Sequence, residues 1–264
     1  VLACHLDTAI GNVISLCLND PSRTQPTLGL AQKIWDRPEE ILFLSDPGNP
    51  LFRFGILESS VNLGNPNFNS IYELPLRIPP LVANNIIFPH SKISSSLNPV
   101  ELIDDYNLKI DITKYLASRI INVTRRGLLI VPIIGSKKSS RIETMSSVSN
   151  VTKKMIVKFT DEDYRLVENQ NYYGSVITYC WLRNLDLYLD LELLNKGASE
   201  GPNAASLILP AASIPITVYV GISDISQVAN IAESMKGREI KVQRLSYSDR
   251  ALFWKKSLGV LASE

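Results

Sequence analysis

One stretch constrains the fold more than any other: Leu185-Asp186-Leu187-Tyr188-Leu189-Asp190-Leu191-Glu192-Leu193, where leucine stands at every second position. A strand sends alternate side chains to opposite faces, so these leucines share one face while Asp186, Asp190 and Glu192 share the other. A helix would scatter them around its circumference. Burying each leucine contributes about 1.5–3 kcal/mol before entropy, which outweighs leucine's weak preference for helix. The segment reads as a half-buried strand with a polar outer face.

Further segments carry strand patterns. Ile216, Val218, Val220 and Ile222 alternate, with Tyr219 on the other face, and Met155, Val157 and Phe159 alternate against Lys154 and Lys158. Leu108-Lys109-Ile110-Asp111-Ile112-Thr113 alternates strictly. Leu128-Leu129-Ile130-Val131 does not alternate, which predicts a strand covered on both faces and ending near Pro132. Ile41 to Leu44, a turn over Ser45 to Pro50, and Leu51 to Phe54 read as strand, turn, strand. Near the C-terminus two helices are expected. Asp224 with Gln227 forms a capping-box start for the first, Ile225, Val228, Ala229 and Ala232 give it an apolar stripe, and Gly237 stops it. The second runs from about Ser248 to Leu258. Because Ile240 and Val242 alternate beyond the first helix, residues 216 to 244 also read as a βαβ unit, the reading that competes with an all-β chain.

Composition narrows the classes of function. The 264 residues are 45% hydrophobic, enough for a sizeable core, and 27 basic against 26 acidic residues leave a net charge of +1. No overall field draws the chain to nucleic acid or to an anionic membrane. Val1 to about Asp36 lacks sustained periodicity and reads as an arm that other surfaces order. Gly201 to Ser223 is uncharged, yet Pro202, Pro210 and Pro215 interrupt it; a loop leading into a buried strand fits better than a membrane span. Cys4, Cys17 and Cys180 are sparse and form no C-x-x-C pair, which points to buried or inert thiols rather than disulfides or zinc. A start at Val1, without a signal-peptide pattern, reads as a processed or trimmed product.

No motif for bond chemistry stands out. His5 and His90 are the histidines; His90 lies in Phe88-Pro89-His90-Ser91, and no G-x-S-x-G elbow accompanies it. Gly135-Ser136-Lys137-Lys138-Ser139-Ser140 has the polar residues of a phosphate-binding loop without its earlier glycine or spacing, so an exposed loop is expected. Asp104-Asp105 and Asp161-Glu162-Asp163 read as solvated turns, since neighbouring carboxylates do not share a face. Arg125-Arg126, Lys137-Lys138, Lys153-Lys154 and Lys255-Lys256 read as surface pairs that reach phosphates only if the fold gathers them. Asn122-Val123-Thr124 and Asn150-Val151-Thr152 match glycosylation acceptors with no secretory signal beside them. The chain is expected not to be an enzyme, with no catalytic, cofactor-binding or metal-ligating residues.

Asn107-Leu108-Lys109-Ile110-Asp111-Ile112, Gly127-Leu128-Leu129-Ile130-Val131-Pro132 and Ile214-Pro215-Ile216-Thr217-Val218-Tyr219-Val220 together resemble core strands of capsid proteins from picorna-like, positive-strand RNA viruses. The resemblance covers about Glu40 to Ser223 in pattern only, and Glu264 fits the Gln or Glu preference of the proteases that cut such polyproteins. It implies an all-β chain: an antiparallel, eight-stranded jelly-roll sandwich over residues 37–223, an N-terminal arm over 1–36 and a partly helical C-terminal extension over 224–264. It further implies an icosahedral shell in the virion, assembled in host cytoplasm. Partners would be other capsid subunits, genomic RNA at the inner surface and a host receptor, with no cofactor and no membrane span. In the arm, Ile10, Val13, Ile14 and Leu16 need burial, which neighbouring subunits would supply.

Two other classes compete. A β-sandwich carbohydrate- or protein-binding module would use Trp181, Tyr172 and Tyr173 as a stacking surface. An α/β enzyme built on residues 216 to 244 would hold its ligand at the carboxyl end of that strand, near Ser223 and Asp224.

Overall fold

The leucine-alternating segment is a strand over Asp186–Asp190, and it lies inside a mostly parallel sheet. In the computed structural model, which describes residues 1–44, 46, 48–59, 71–100, 127–135, 141–159, 170–191, 213–229, 231, 233–242, 247 and 251, the chain is mixed α/β. The all-β jelly roll is therefore overturned. A short antiparallel ribbon joins β1 (Glu58–Ser59) to β2 (Leu76–Arg77). The main sheet comprises β3 (Leu97–Pro99), β4 (Leu129–Ile134), β5 (Ile156–Phe159), β6 (Asp186–Asp190), β7 (Thr217–Ile222) and β8 (Ile240–Lys241) in the spatial order β3-β5-β6-β7-β4-β8. Only the β3–β5 pairing is antiparallel; β5–β6, β6–β7, β7–β4 and β4–β8 are parallel.

Helices cover both faces, and this is why the strands are buried on both. On one face α8 (Gln170–Leu182) lays Tyr173, Val176, Ile177 and Cys180 against Leu187, Leu189, Val218 and Val220. On the other α7 (Arg141–Thr152) lays Met145 and Val148 against Val131, Ile133, Tyr188 and Tyr219. Leu185, Leu187, Leu189 and Leu191 do share a core; Glu192 and Leu193 lie outside the described residues. The opposite face is not solvated: Asp186 is 1% exposed and joins Lys154, whose Nζ lies 2.5 Å from Oδ1. A charged residue on alternate positions marks an outer face only when nothing covers it.

Strand β4 is covered on both faces, as its unbroken apolar run requires, but it continues through Pro132 to Ile134. Ile130 O accepts from Gly237 N and Ile134 O from Val242 N, so even-numbered residues of β4 turn their backbone groups toward β8. Pro132 shares that side, where regular pairing starts only at Ile133 with Ile240, so its missing N–H breaks no bond with β7. Of the βαβ unit expected over 216 to 244, the two strands are present, β7 and β8, both parallel to β4, which lies between them, but among the described residues their connection contains no α-helix. The first C-terminal helix shortens to one 3-10 turn, Ile225–Val228, whose Asp224/Gln227 capping box forms as the sequence indicates. Residues 248 to 250 and 252 to 258, the core of the second expected helix, lie outside the described residues.

Ahead of the sheet the chain is helical where strands or an irregular arm are expected. The helices are α1 (Ala3–Leu6), α2 (Ala9–Leu18), α3 (Leu28–Ile34), α4 (Pro38–Leu44), α5 (Pro50–Arg53) and α6 (Pro80–Ile87). Local chemistry explains them. Thr27 Oγ1 caps α3 through Leu30 N at 3.0 Å, and Asn49 Oδ1 caps α5 through Leu51 N at 3.0 Å. Pro38, Pro50 and Pro80 occupy first turns, where a missing N–H breaks no helical bond. Thus Ile41–Leu44 and Leu51–Phe54 are mostly helical rather than a hairpin. Thr178 Oγ1 of α8 donates to Phe54 O at 2.8 Å, and Phe54 packs on Trp181 with ring centroids 4.8 Å apart. Gly55 takes φ +66 there, and a Cβ would meet Thr178 Oγ1 at 2.8 Å.

Candidate ligand site at the carboxyl ends of the strands

Parallel sheets hold ligands beyond the carboxyl ends of their strands, where adjacent connections leave on opposite faces. Here the helix after β4 lies on the face carrying Met145 and Val148, whereas Val228 and Ile231, after β7, lie on the face of α8. The connections thus diverge at the neighbouring carboxyl ends of β4 and β7.

Arg141, the first residue of α7, stands there. Its Nε donates to Gly135 O at 3.0 Å, just past β4, and Nη2 donates to the same carbonyl. Nη1 lies 3.3 Å from Asp190 Oδ2 at the end of β6, and Nη2 lies 3.4 Å from Ser223 Oγ just past β7. The Arg141 side chain is 3% exposed and that of Asp190 14%. One guanidinium therefore touches the ends of three neighbouring parallel strands.

The register aligns this set. Asp190 pairs with Gly221, and Gly221 pairs with Ile133. Tyr188, one step below on the same face, reaches up with its hydroxyl 3.5 Å from Asp190 Oδ2. Gly221 makes room for it: a Cβ there would lie 2.4 Å from the Tyr188 hydroxyl and 3.3 Å from Arg141 Nη1. Beside the cluster, Gln227 Oε1 accepts from Ser223 N at 3.0 Å, and Asp224 Oδ1 accepts from Ser226 N at 2.8 Å. The bonds from Ser226 hold the Asp224 carboxyl below its ordinary range, so Asp224 caps a turn.

At the amino end of the same strands lies a second charged group. Lys154 holds Asp186, whose Oδ1 also accepts from Thr217 N at 3.3 Å. Burial pushes the Asp186 carboxyl up, against the opposing pull of Lys154. The Tyr219 hydroxyl, buried and without a hydrogen-bond partner among the described residues, is raised by burial and then by the Asp186 charge.

The residues singled out from sequence fare differently. His5 and His90 are exposed on α1 and in the turn after α6, and the structure brings neither to the cluster. Among the described residues no group of three or more His, Cys, Asp or Glu is gathered as a metal cage. The cysteines are free, but Cys17 is exposed rather than buried; Cys180 is buried and its thiol is raised by desolvation. Tyr173 is in the core and Trp181 packs on Phe54, so neither forms an open stacking surface. Asn150 lies in the last turns of α7, and Lys154 of the Lys153-Lys154 pair is an internal partner of Asp186. Residues 101 to 126, 136 to 140, 160 to 169, 192 to 212 and 252 to 264 lie outside the described residues, with the motifs expected there. No helix among the described residues is long and apolar enough to cross a membrane. Sequence reasoning points to Ser223 through the βαβ reading but misses Arg141, Asp190 and Tyr188. Asp190 is hidden by its place in a strand alternation, and Arg141 by a serine-rich helix without an apolar stripe.

No family model matches the chain, and no curated protein matches it.

Proposed function

We propose that the chain is an α/β ligand-binding domain that holds a phosphate-bearing ligand with a divalent cation, a nucleoside triphosphate with magnesium being the class that fits best. The carrying observation is the contact of Arg141 with the ends of β4, β6 and β7 at the point where connections diverge to opposite faces. A guanidinium is suited to phosphate oxygens. Magnesium is commonly held by one or two carboxylates plus the phosphates themselves, which suits Asp190, a single carboxylate on the guanidinium that also meets Ser223. In the sequence, Ser136-Lys137-Lys138-Ser139-Ser140 between Gly135 and Arg141 supply two lysines and three serines, residue types that bind phosphate. The test is calorimetric titration of magnesium-ATP into the wild type and Asp190→Asn. Binding that weakens at least tenfold in the variant is expected; no binding, or equal binding, contradicts the reading.

A second reading is self-assembly into a shell through the N-terminal helices. It is favoured by the exposure of Leu16, Phe43, Ile34 and Leu6 at 80%, 74%, 72% and 65%. Particle mass in solution tests it: megadalton particles lost on deleting residues 1–30 support it, and a monomer at high concentration excludes it.

A further inference from the structure

We propose that the turn between α6 and β3 is a docking surface for single-stranded nucleic acid. It lies away from the Arg141 cluster, beside the amino end of β6, and does not depend on the ligand proposed there.

Residues 74–100 contain no Asp or Glu, and neither does the stretch 170–185 that spans α8 and the approach to β6. The fold packs α6 of the first stretch against α8 of the second. Arg183, just past the last residue of α8 and before β6, stands in this acid-free region. Its Nε donates to Asn85 Oδ1 at 2.6 Å and Nη1 to Ser91 O at 2.7 Å, while Nη2 donates to Ser91 Oγ at 2.7 Å and to Phe88 O at 3.5 Å. The Tyr179 ring lies 5.4 Å from the guanidinium carbon. Each of those acceptors is neutral, so the guanidinium is anchored without being neutralised. His90 and Lys92 are exposed on the same turn, and neither forms an ion pair among the described residues. Positive charge thus gathers locally in a chain whose net charge is only +1.

Exposed rings accompany the charge. Phe88 is 60% exposed and His90 is exposed two residues on, with Pro89 between them. Unpaired bases stack on such rings while cations beside them meet the phosphates. A phosphopeptide would need the cations alone, and a duplex keeps its bases stacked on one another, so the rings favour a single strand. The turn is also fixed before anything binds. Ser91 N donates to Phe88 O at 3.1 Å, Ser94 N to the Tyr179 hydroxyl at 3.1 Å, and the Tyr172 hydroxyl to Ser96 Oγ at 3.1 Å. Little ordering of the protein is left for binding to offset.

The experiment follows the fluorescence anisotropy of a labelled oligouridine with the full chain across a range of potassium chloride. Because Arg183 holds the turn, the variants are placed at exposed side chains: Phe88→Ala, Lys92→Ala and the two combined, with near-UV circular dichroism to show that each keeps its fold. Wild-type affinity is expected to fall as salt rises. Lys92→Ala should reduce the slope of log affinity against log salt by about 0.7, the loss of one phosphate contact. Phe88→Ala should weaken binding about fivefold or more with the slope unchanged, the loss of one stacked base. The double variant should bind magnesium-ATP as the wild type does. No oligouridine binding at low salt, or equal binding by the wild type and the double variant, overturns the proposal. Equal competition by a duplex overturns the choice of a single strand, as does a phosphoserine peptide that binds in its place with dependence on Lys92 and none on Phe88.

Discussion

Two carboxylates on one face of β6 meet different fates at opposite ends of the sheet. Asp186, at the amino end, is 1% exposed, has a lysine at 2.5 Å and takes a backbone bond from β7. Asp190, at the carboxyl end, sits 3.3 Å from an arginine that also reaches two other strand ends, and it retains some access to solvent. The tyrosines beside them divide in the same way. Tyr188 carries its hydroxyl up to Asp190, while Tyr219 feels the charge of Asp186. Same residue type, same strand and same face: what differs is the end of a parallel sheet, and with it whether the charge fixes the fold or faces the place where ligands bind.

The largest effect is expected at Lys154. Replacing it with Ala leaves Asp186 buried without its cation and is expected to cost about 3 kcal/mol, read as a shift in urea midpoint, with ligand binding unchanged in whatever remains folded. Gly221→Ala comes next. Its Cβ meets the Tyr188 hydroxyl, so repacking should cost about 2 kcal/mol and weaken ligand binding as well. Asp190→Asn leaves Arg141 its bonds to Gly135 O and Ser223 Oγ, so it should cost less than Lys154→Ala, about 1 kcal/mol, while weakening magnesium-ATP binding tenfold. Loss of stability at Asp190 as large as at Lys154 would erase the distinction between the two ends.

The smallest expected effect is in pH dependence. Burial raises Asp186, so the folded chain keeps that proton at pH values where the unfolded chain has lost it. Its contribution is therefore full below the ordinary carboxylate range and is lost as pH rises through the raised value. Denaturation of the wild type and Asp186→Asn across that window should show wild-type stability falling relative to the variant as pH increases. A constant difference, or one that grows with pH, would contradict the assignment.

Much of the sheet is legible in the residues, and the architecture is not. The alternations at Leu187 and Leu189, Val157 and Phe159, and Val218 and Val220 identify strand faces correctly, and the Asp224/Gln227 box identifies its turn. What they leave open is whether the second face meets water. Asp186 and Asp190 read as solvated because their partners, Lys154 and Arg141, are distant in sequence. The helix that covers that face hides itself too. Thr144, Ser146, Ser147 and Ser149 of α7 are buried, and such residues produce no apolar stripe. Thr152 Oγ1 bonds back to Val148 O at 2.9 Å and Ser149 Oγ to Lys154 O at 2.7 Å, so small hydroxyls satisfy themselves locally under the sheet. Helix α8, rich in Tyr, Val, Ile and Thr, carries strand-forming residues and is buried almost all round between the sheet and α6. With two crossover helices concealed, an alternating set of strands takes the aspect of a sandwich.

Backbone amide chemical shifts recorded before and after addition of magnesium-ATP distinguish the two ends of the sheet. Shifts are expected to concentrate at Gly135, Arg141, Asp190, Gly221 and Ser223, with Lys154, Asp186 and Thr217 at the other end of the same strands unmoved. Shifts centred on the Lys154–Asp186 end, or none at saturating ligand, would contradict the proposed ligand site.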